Sequence, residues 1–206
     1  IGREAGRFDA GDAAASIEKY LENYRFAEAS EVVYHAVWDS VADWYIEASK
    51  TSENSAMLAW VLDTSLKLAH PFAPFVTETI WQSLSWHNDK ELLIAASWPA
   101  ETAYNDIAAT EFEQLQTLVV EARYVMSELP GNDRYPLVYQ SDALIADNAD
   151  LIKHLSRVKE VREESQPKGL RLASSNREAW LEISEETMYE HQSNLEVRLA
   201  ETKQFV

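Results

Sequence analysis

Between Ala13 and Leu84 the apolar residues recur at helical spacing in four successive stretches, and the links between them are only a few residues long. In the first, up to Asn23, the repeat is carried by Ile17, Tyr20, Leu21 and the adjoining Tyr24. The longest runs from Phe26 to Lys50, where Val33, Val37, Val41, Trp44 and Ala48 form one stripe that Tyr34, Trp38 and Tyr45 widen. The third, Asn54 to His70, is built on Met57, Trp60, Val61, Leu62, Leu66 and Leu68. Broad apolar arcs of this kind belong to helices covered by neighbours on more than one side. With links as short as "TSEN" and "AHPFAP", consecutive helices are expected to pack antiparallel.

The link "AHPFAP" holds two prolines three residues apart. Pro71 has no amide hydrogen and pushes His70 away from helical geometry, so the third helix is expected to end there. Pro74 suits the first turn of a fourth helix, where its missing donor costs nothing. That helix is expected to bury Phe75, Ile80, Trp81 and Leu84, with Thr77 and Glu78 near its positive end. Trp38, Trp60 and Trp81 lie on the stripes and are assigned to the core, and His70 to a helix end. Both prolines are read as structural.

After "SWPAETAYND" a further amphipathic helix is expected from Ile107 to about Glu128, and then the pattern changes. "YPLVYQ" reads as a short strand and "DNADLIKHLSRV" as a helix capped by Asp147. "VKEVREES", "KGLRLASS" and "EAWLEI" alternate in strand-like fashion between turn residues, and a polar helix begins near Glu186. The expected fold is mainly α: an antiparallel helical bundle over residues 1–130, followed by a small α/β appendage over 131–206.

Composition narrows the function. No apolar run reaches the length of a bilayer span, and no charged-then-apolar leader opens the sequence. Without cysteine there is neither a disulfide nor a thiolate metal site, and a cytoplasmic location is expected. The start at Ile1 rather than methionine leads to the expectation of a piece of something larger. A net charge of −17 disfavours non-specific attraction to nucleic acid. The charge is uneven: Lys153 to Arg177 holds seven basic against three acidic residues, whereas residues 1–120 hold seven against nineteen.

Motifs for common chemistries are missing. The histidines have no metal-ligand spacing, no HExxH occurs, and the five glycines never cluster into a phosphate loop. The densest constellation is "DWYIEASK", in which Asp43, Glu47 and Lys50 stand at i, i+4 and i+7 beside Trp44 and Tyr45. Such a row serves as a surface ion-pair line, as an acid and base one turn apart, or as a base-reading edge with an aromatic plane beside it.

Two blocks carry a family resemblance. "YRFAEASEVVYHAVWDSVADWYIEASK" and "LKLAHPFAPFVTETIWQSL", with the following "SWP", resemble the anticodon-binding region of class I aminoacyl-tRNA synthetases. Within that family the likeness is to the branched-chain amino-acid group and most closely to its valyl branch. Asp43, Trp44, Tyr45, Glu47 and Lys50 match one family block, and His70 through Glu78 the other. "VVEARYVMSELP" and "LIKHLSRVKEV" extend the likeness more weakly, and "NLEVRLAETKQF" is similar to the lead-in to a C-terminal coiled coil. The family's nucleotide-binding and editing domains, its His-x-Gly-His element and its Lys-Met-Ser-Lys-Ser loop do not occur in these residues.

The resemblance implies a module that binds tRNA, here valine isoacceptors, and helps a parent ligase, expected to be monomeric, choose its tRNA by the anticodon. No cofactor is expected in this segment, with ATP confined to the catalytic domain of the parent, and no catalytic or metal residue. Lys50 is the first candidate for an anticodon or loop-phosphate contact. Glu47, Asp43 and Trp44 stand beside it, Arg3, Arg7 and Arg25 come from the start of the chain, and Arg157 and Arg162 from the basic segment. The alternatives are an acidic helical module that docks a basic protein, the equivalent region of an isoleucyl or leucyl enzyme, and a hydrolase using Asp43 and Glu47.

Overall fold

Helix α1 (Ala10–Glu22) ends in a left-handed residue, Tyr24 at φ 57°, with Arg25 N–H donating to Tyr20 O at 2.8 Å and Tyr24 N–H to Leu21 O at 3.0 Å. This is a Schellman ending made without glycine. It turns the chain directly into α2 (Phe26–Tyr34), which runs on as a π-helical segment, His35–Ile46, and a last α-helical turn, α3 (Glu47–Ser49). Asn54 caps α4 (Ser55–Ala69) by accepting from Met57 N–H at 3.0 Å. Pro74 opens α5 (Pro74–Ser83) at its first position, as its missing amide hydrogen predicts. A 3₁₀ turn follows at Leu93–Ala95.

The computed structural model describes residues 10–51, 54–84, 86, 91–100, 105–131 and 133–204. The chain divides into two compact units, Ile1–Asn105 and Asp106–Val206. In the first, α1 packs on α2 and α4, and α4 packs on the π segment and α5. One apolar cluster joins Ala14 and Ile17 to Ala29, Val33 and Leu68, and a second joins Leu66, Trp81 and Leu93.

The second unit begins with α6 (Asp106–Glu128) and continues through β1 (Leu137–Tyr139), α7 (Ala143–Asp147), α8 (Ala149–Ser156), β2 (Val161–Glu163), β3 (Leu170–Leu172), β4 (Ala179–Leu181) and α9 (Glu185–Gln204). Its sheet has the order β2-β1-β4-β3. β1 and β2 are parallel through the α7–α8 crossover, while β1–β4 and β4–β3 are antiparallel. All three residues of the central strand β1 are buried. α6 packs on α8 and β3. Arg123 Nε donates to Leu155 O at 2.6 Å, and the Glu121 carboxylate accepts from Ala173 N–H at 2.8 Å and from Ser174 N–H.

The chain is thus mostly helical with a small four-stranded sheet. The helix expected in the first domain, α6, packs within the second unit, because its buried face of Leu115, Leu118, Val119 and Ala122 meets α8 and β3. The helix expected to be capped by Asp147 is α8, whose N-cap is Asn148 without a side-chain bond; the short α7 before it was not expected and is capped by Asp142, which accepts from Ile145 N–H at 3.1 Å. Residue Asn148 (φ −116°, ψ 20°) separates α7 from α8, and α8 is the helix expected here.

Candidate nucleic-acid interface

The block containing Asp43 to Lys50 lies at the end of the π segment. Hydrogen bonds from i to i+5 widen each turn, and the buried positions there, Ala36 and Val41, are correspondingly five residues apart. Each residue therefore rotates less than in an α-helix, and the α-helical stripe drifts. Val33 and Val41 remain buried, but Val37, Trp44 and Ala48 are half-buried, and Trp38 leaves the core with 58% of its surface exposed. Its assignment to the core is corrected accordingly. Trp38 instead stacks on Tyr34, with centroids 6.2 Å apart and planes at 10°. Both rings face solvent, as a base-stacking surface requires. The signal in the sequence was an aromatic pair four residues apart, absorbed into the stripe.

Of the row Asp43, Glu47 and Lys50, the structure joins the last two: Lys50 Nζ lies 2.6 Å from Glu47 Oε1. Asp43 is exposed, and Trp44 and Tyr45 are half-buried, so the indole plane is only partly presented. Burial pushes the Tyr45 phenol above its ordinary pKa. The Lys50 pair is a surface pair of the kind worth under about 1 kcal/mol. A phosphate or base edge competes readily for such a lysine.

The other candidates differ in how far their charge is already met. Arg25 Nε donates to Glu28 Oε1 at 2.9 Å, and its guanidinium carbon sits 4.8 Å from the centre of the Tyr20 ring. The Glu28 carboxyl is held below its ordinary value, by backbone hydrogen bonding first and by Arg25 second. Arg162 is surrounded by Glu160, Glu164 and Glu182, at 3.1, 2.8 and 2.7 Å. Burial opposes its charge, but these carboxylates outweigh it and raise the pKa. Arg157 ends α8 in a left-handed conformation (φ 62°) and is exposed, with no ion pair to it among the described residues. Of the two appendage arginines, Arg157 is the one with charge to offer. Arg3 and Arg7 lie outside the described residues.

At the proline corner the α4 end residue His70 bonds through Nδ1 to Thr77 Oγ1 at 2.8 Å. The Thr77 hydroxyl donates to Ala73 O at 2.8 Å, which leaves the ring N–H as donor to threonine. Thr77 and Trp81 form the buried face of α5, and Phe75, on another side of the helix, is 89% exposed. The expectation that Phe75 and Ile80 are buried is overturned, because a threonine with its hydroxyl satisfied takes the inner position. Trp60 is likewise partly exposed. A cavity of about 360 Å³ at this corner is lined by Lys67, His70, Pro71, Pro74, Leu93 and Trp98.

Among the described residues, no three His, Asp or Glu side chains converge as a metal site, and no helix is long and apolar enough to cross a membrane.

The sequence family described as the anticodon-binding domain of tRNA ligase matches residues 10–133. Similar proteins include the valine–tRNA ligase of Petrotoga mobilis, 36% identical over an alignment of 157 residues that covers 68% of this chain and 18% of that protein. The valine–tRNA ligase of Streptomyces coelicolor is 36% identical over 149 residues, covering 66% of this chain and 17% of the relative. That of Thermotoga maritima is 37% identical over 152 residues, 68% and 17% of the two. The chain thus spans under a fifth of the length of these relatives.

Proposed function

Because this chain belongs to the family of anticodon-binding domains of tRNA ligases, we propose that it is the anticodon-reading segment of an enzyme that joins valine to its tRNA with ATP. The observation that carries this reading is the family match across α1 to α6, together with valine–tRNA ligases as its relatives. In this reading, α1 to α5 form the antiparallel bundle of class I synthetases. Valine tRNAs are the partner, the parent enzyme is cytoplasmic and monomeric, and ATP is handled by the remainder of that enzyme. This segment needs no cofactor of its own.

Binding at such a surface depends on stacking and edge contacts with unpaired bases more than on bulk charge. That reconciles a net charge of −17 with an RNA partner. Lys50, offered from the end of the helix that carries the Tyr34–Trp38 pair, is the leading contact, and Arg157 a second. Asp43 and Glu47 serve as edge acceptors rather than as acid and base, since Glu47 is already engaged by Lys50.

The test uses the full-length parent enzyme. Lys50→Ala raises the KM for valine tRNA roughly two- to tenfold, the worth of one hydrogen bond. Valine-dependent pyrophosphate exchange stays unchanged. A loss equal across anticodon variants, with a salt slope shallower by about one unit, identifies a phosphate contact; a loss that depends on the anticodon base identifies an edge. Wild-type aminoacylation kinetics in both Lys50→Ala and Arg157→Ala would remove these residues from the interface.

A further inference from the structure

Four cations of the second unit, Arg134, Lys153, Arg157 and Lys159, are exposed and have no ion pair among the described residues. Elsewhere the lysines and arginines are mostly engaged by neighbouring carboxylates, as Lys67 is by Asp63 and Arg171 by Glu178. The topology gathers the four. β1 and β2 run parallel with Leu137 level with Val161, so both strands start at the same end of the sheet. Lys159 N–H donates to Tyr135 O at 3.0 Å, which sets the residues leading into the two strands side by side and brings Arg134 within one residue of that pairing. α8 returns the chain to this end. Its last turn carries Lys153, and Arg157 N–H donates to Lys153 O at 3.0 Å. Only Val158 separates Arg157 from Lys159. In the order Lys153, Arg157, Lys159, Arg134, successive backbone positions are therefore roughly 5–7 Å apart.

Two of these cations have a local reason for their place, since the negative end of a helix favours positive side chains in its last turn. That reason does not reach Lys159 and Arg134, which precede strands. Nearby carboxylates leave the line uncancelled. Glu160 and Glu182 are held by Arg162, and Asp133 adjoins Arg134 alone. On the β4 side of β1, Glu185 and Glu186 follow Glu182 into α9, which confines the positive surface to the β2 side.

What the surface lacks selects its partner. Between Tyr124 and Tyr189 no large hydrophobic side chain is exposed among the described residues. A membrane-surface patch inserts apolar groups, a protein hot spot presents an aromatic anchor, and a single-strand binder offers rings on which bases stack. Charge without such groups suits phosphates that a double helix holds in fixed positions with its bases turned inward. Screening limits the reach of distant carboxylates to about 10 Å at 0.1 M salt, so a net charge of −17 does not cancel a local patch. We infer that this end of the sheet binds the phosphate backbone of an RNA double helix without reading its sequence. The identity of that helix as a tRNA stem rests on the function proposed above, and Arg157 then meets the stem rather than the anticodon loop.

The test measures binding of the whole 206-residue chain to a short RNA duplex by fluorescence anisotropy across a range of salt. A duplex without a loop gives Lys50 no anticodon to read, so the outcome is independent of that assignment. Affinity is expected to fall with salt at a log–log slope of about −3 to −4 and to be equal for duplexes of different sequence. Arg134→Ala, Lys153→Ala, Arg157→Asn and Lys159→Ala each weaken binding roughly two- to tenfold and make the slope shallower by about one unit. Asparagine is used at 157 because it tolerates the left-handed backbone there. Lys159→Arg retains binding. Lys19→Ala, which removes an exposed lysine of the first unit and changes the net charge equally, leaves it unchanged. Unaltered urea unfolding of each variant shows that the fold is preserved. Tighter binding to oligouridylate than to the duplex, equal or tighter binding to phosphatidylserine vesicles, an equal effect of Lys19→Ala, or no salt-dependent binding of the duplex overturns the inference.

Discussion

At Thr77 and Phe75 polarity alone misleads, because the threonine is inside and the phenylalanine outside. A threonine hydroxyl that bonds back to Ala73 O and accepts from His70 carries no unsatisfied group into the interior. Phe75 then occupies a side of α5 that nothing in its unit covers. The two aromatic residues of this helix are therefore expected to respond very differently to truncation. Trp81→Ala removes a ring that is 3% exposed and costs about 3–5 kcal/mol in urea unfolding. Phe75→Ala stays within about 0.5 kcal/mol of wild type, as for an ordinary surface position. A comparable loss in both would mean that Phe75 is covered in solution. The same residue-scale reasoning separates Arg157 from Arg162. Glu160 and Glu164 flank Arg162 in the sequence, whereas Glu182 reaches it from the segment after β4, and that third pairing cannot be read from a linear charge count.

Elements with strong local signals were legible. Pro74 opens its helix, the helix before it starts at Asn54 as its apolar spacing indicates, and the strand-like segments become β1 to β4. The π segment was not legible, because its residues also satisfy an α-helical stripe and only the bonding pattern distinguishes the two. That one element accounts for the misplacement of Trp38. The five-residue α7 was not legible because it is too short to show a helical period, and the cap expected at Asp147 falls one residue later, at Asn148. Gly169 had only the appearance of a turn residue. Its φ is +124°, and a Cβ there would lie 2.1 Å from Leu181 O on the adjoining strand. Gly169→Ala is therefore expected to cost about 2–3 kcal/mol by forcing β3 away from β4, read as a lowered midpoint in thermal or urea unfolding. A neutral result would show that the β3–β4 pairing tolerates a shift that the register does not suggest.

Over the whole molecule, the place of α6 decides what folds with what. Its Leu115, Leu118 and Val119 are buried, at roughly 1.5–3 kcal/mol each. That is a large share of the 5–15 kcal/mol by which a domain is typically stable. Residues 106–206 alone should unfold cooperatively in denaturant, whereas residues 131–206, stripped of α6 and of the Arg123 and Glu121 bonds, should lose the cooperative transition. Cooperative unfolding of the shorter piece would return the boundary to the position that loop composition suggests. Composition places it there because the change from helical to strand-like pattern comes after α6, and a periodicity carries no record of which partner a helix packs on. The sequence family, too, reaches residue 133 and so takes α6 together with the helices before it. The segment by which this protein is inherited and the segment by which it folds therefore overlap without coinciding. Exchange between relatives with a crossover just after residue 133 would give the sheet a foreign helix to fold against, while a crossover near residue 105 would move it together with its own. Viable natural hybrids of such chains should accordingly carry their joints ahead of α6.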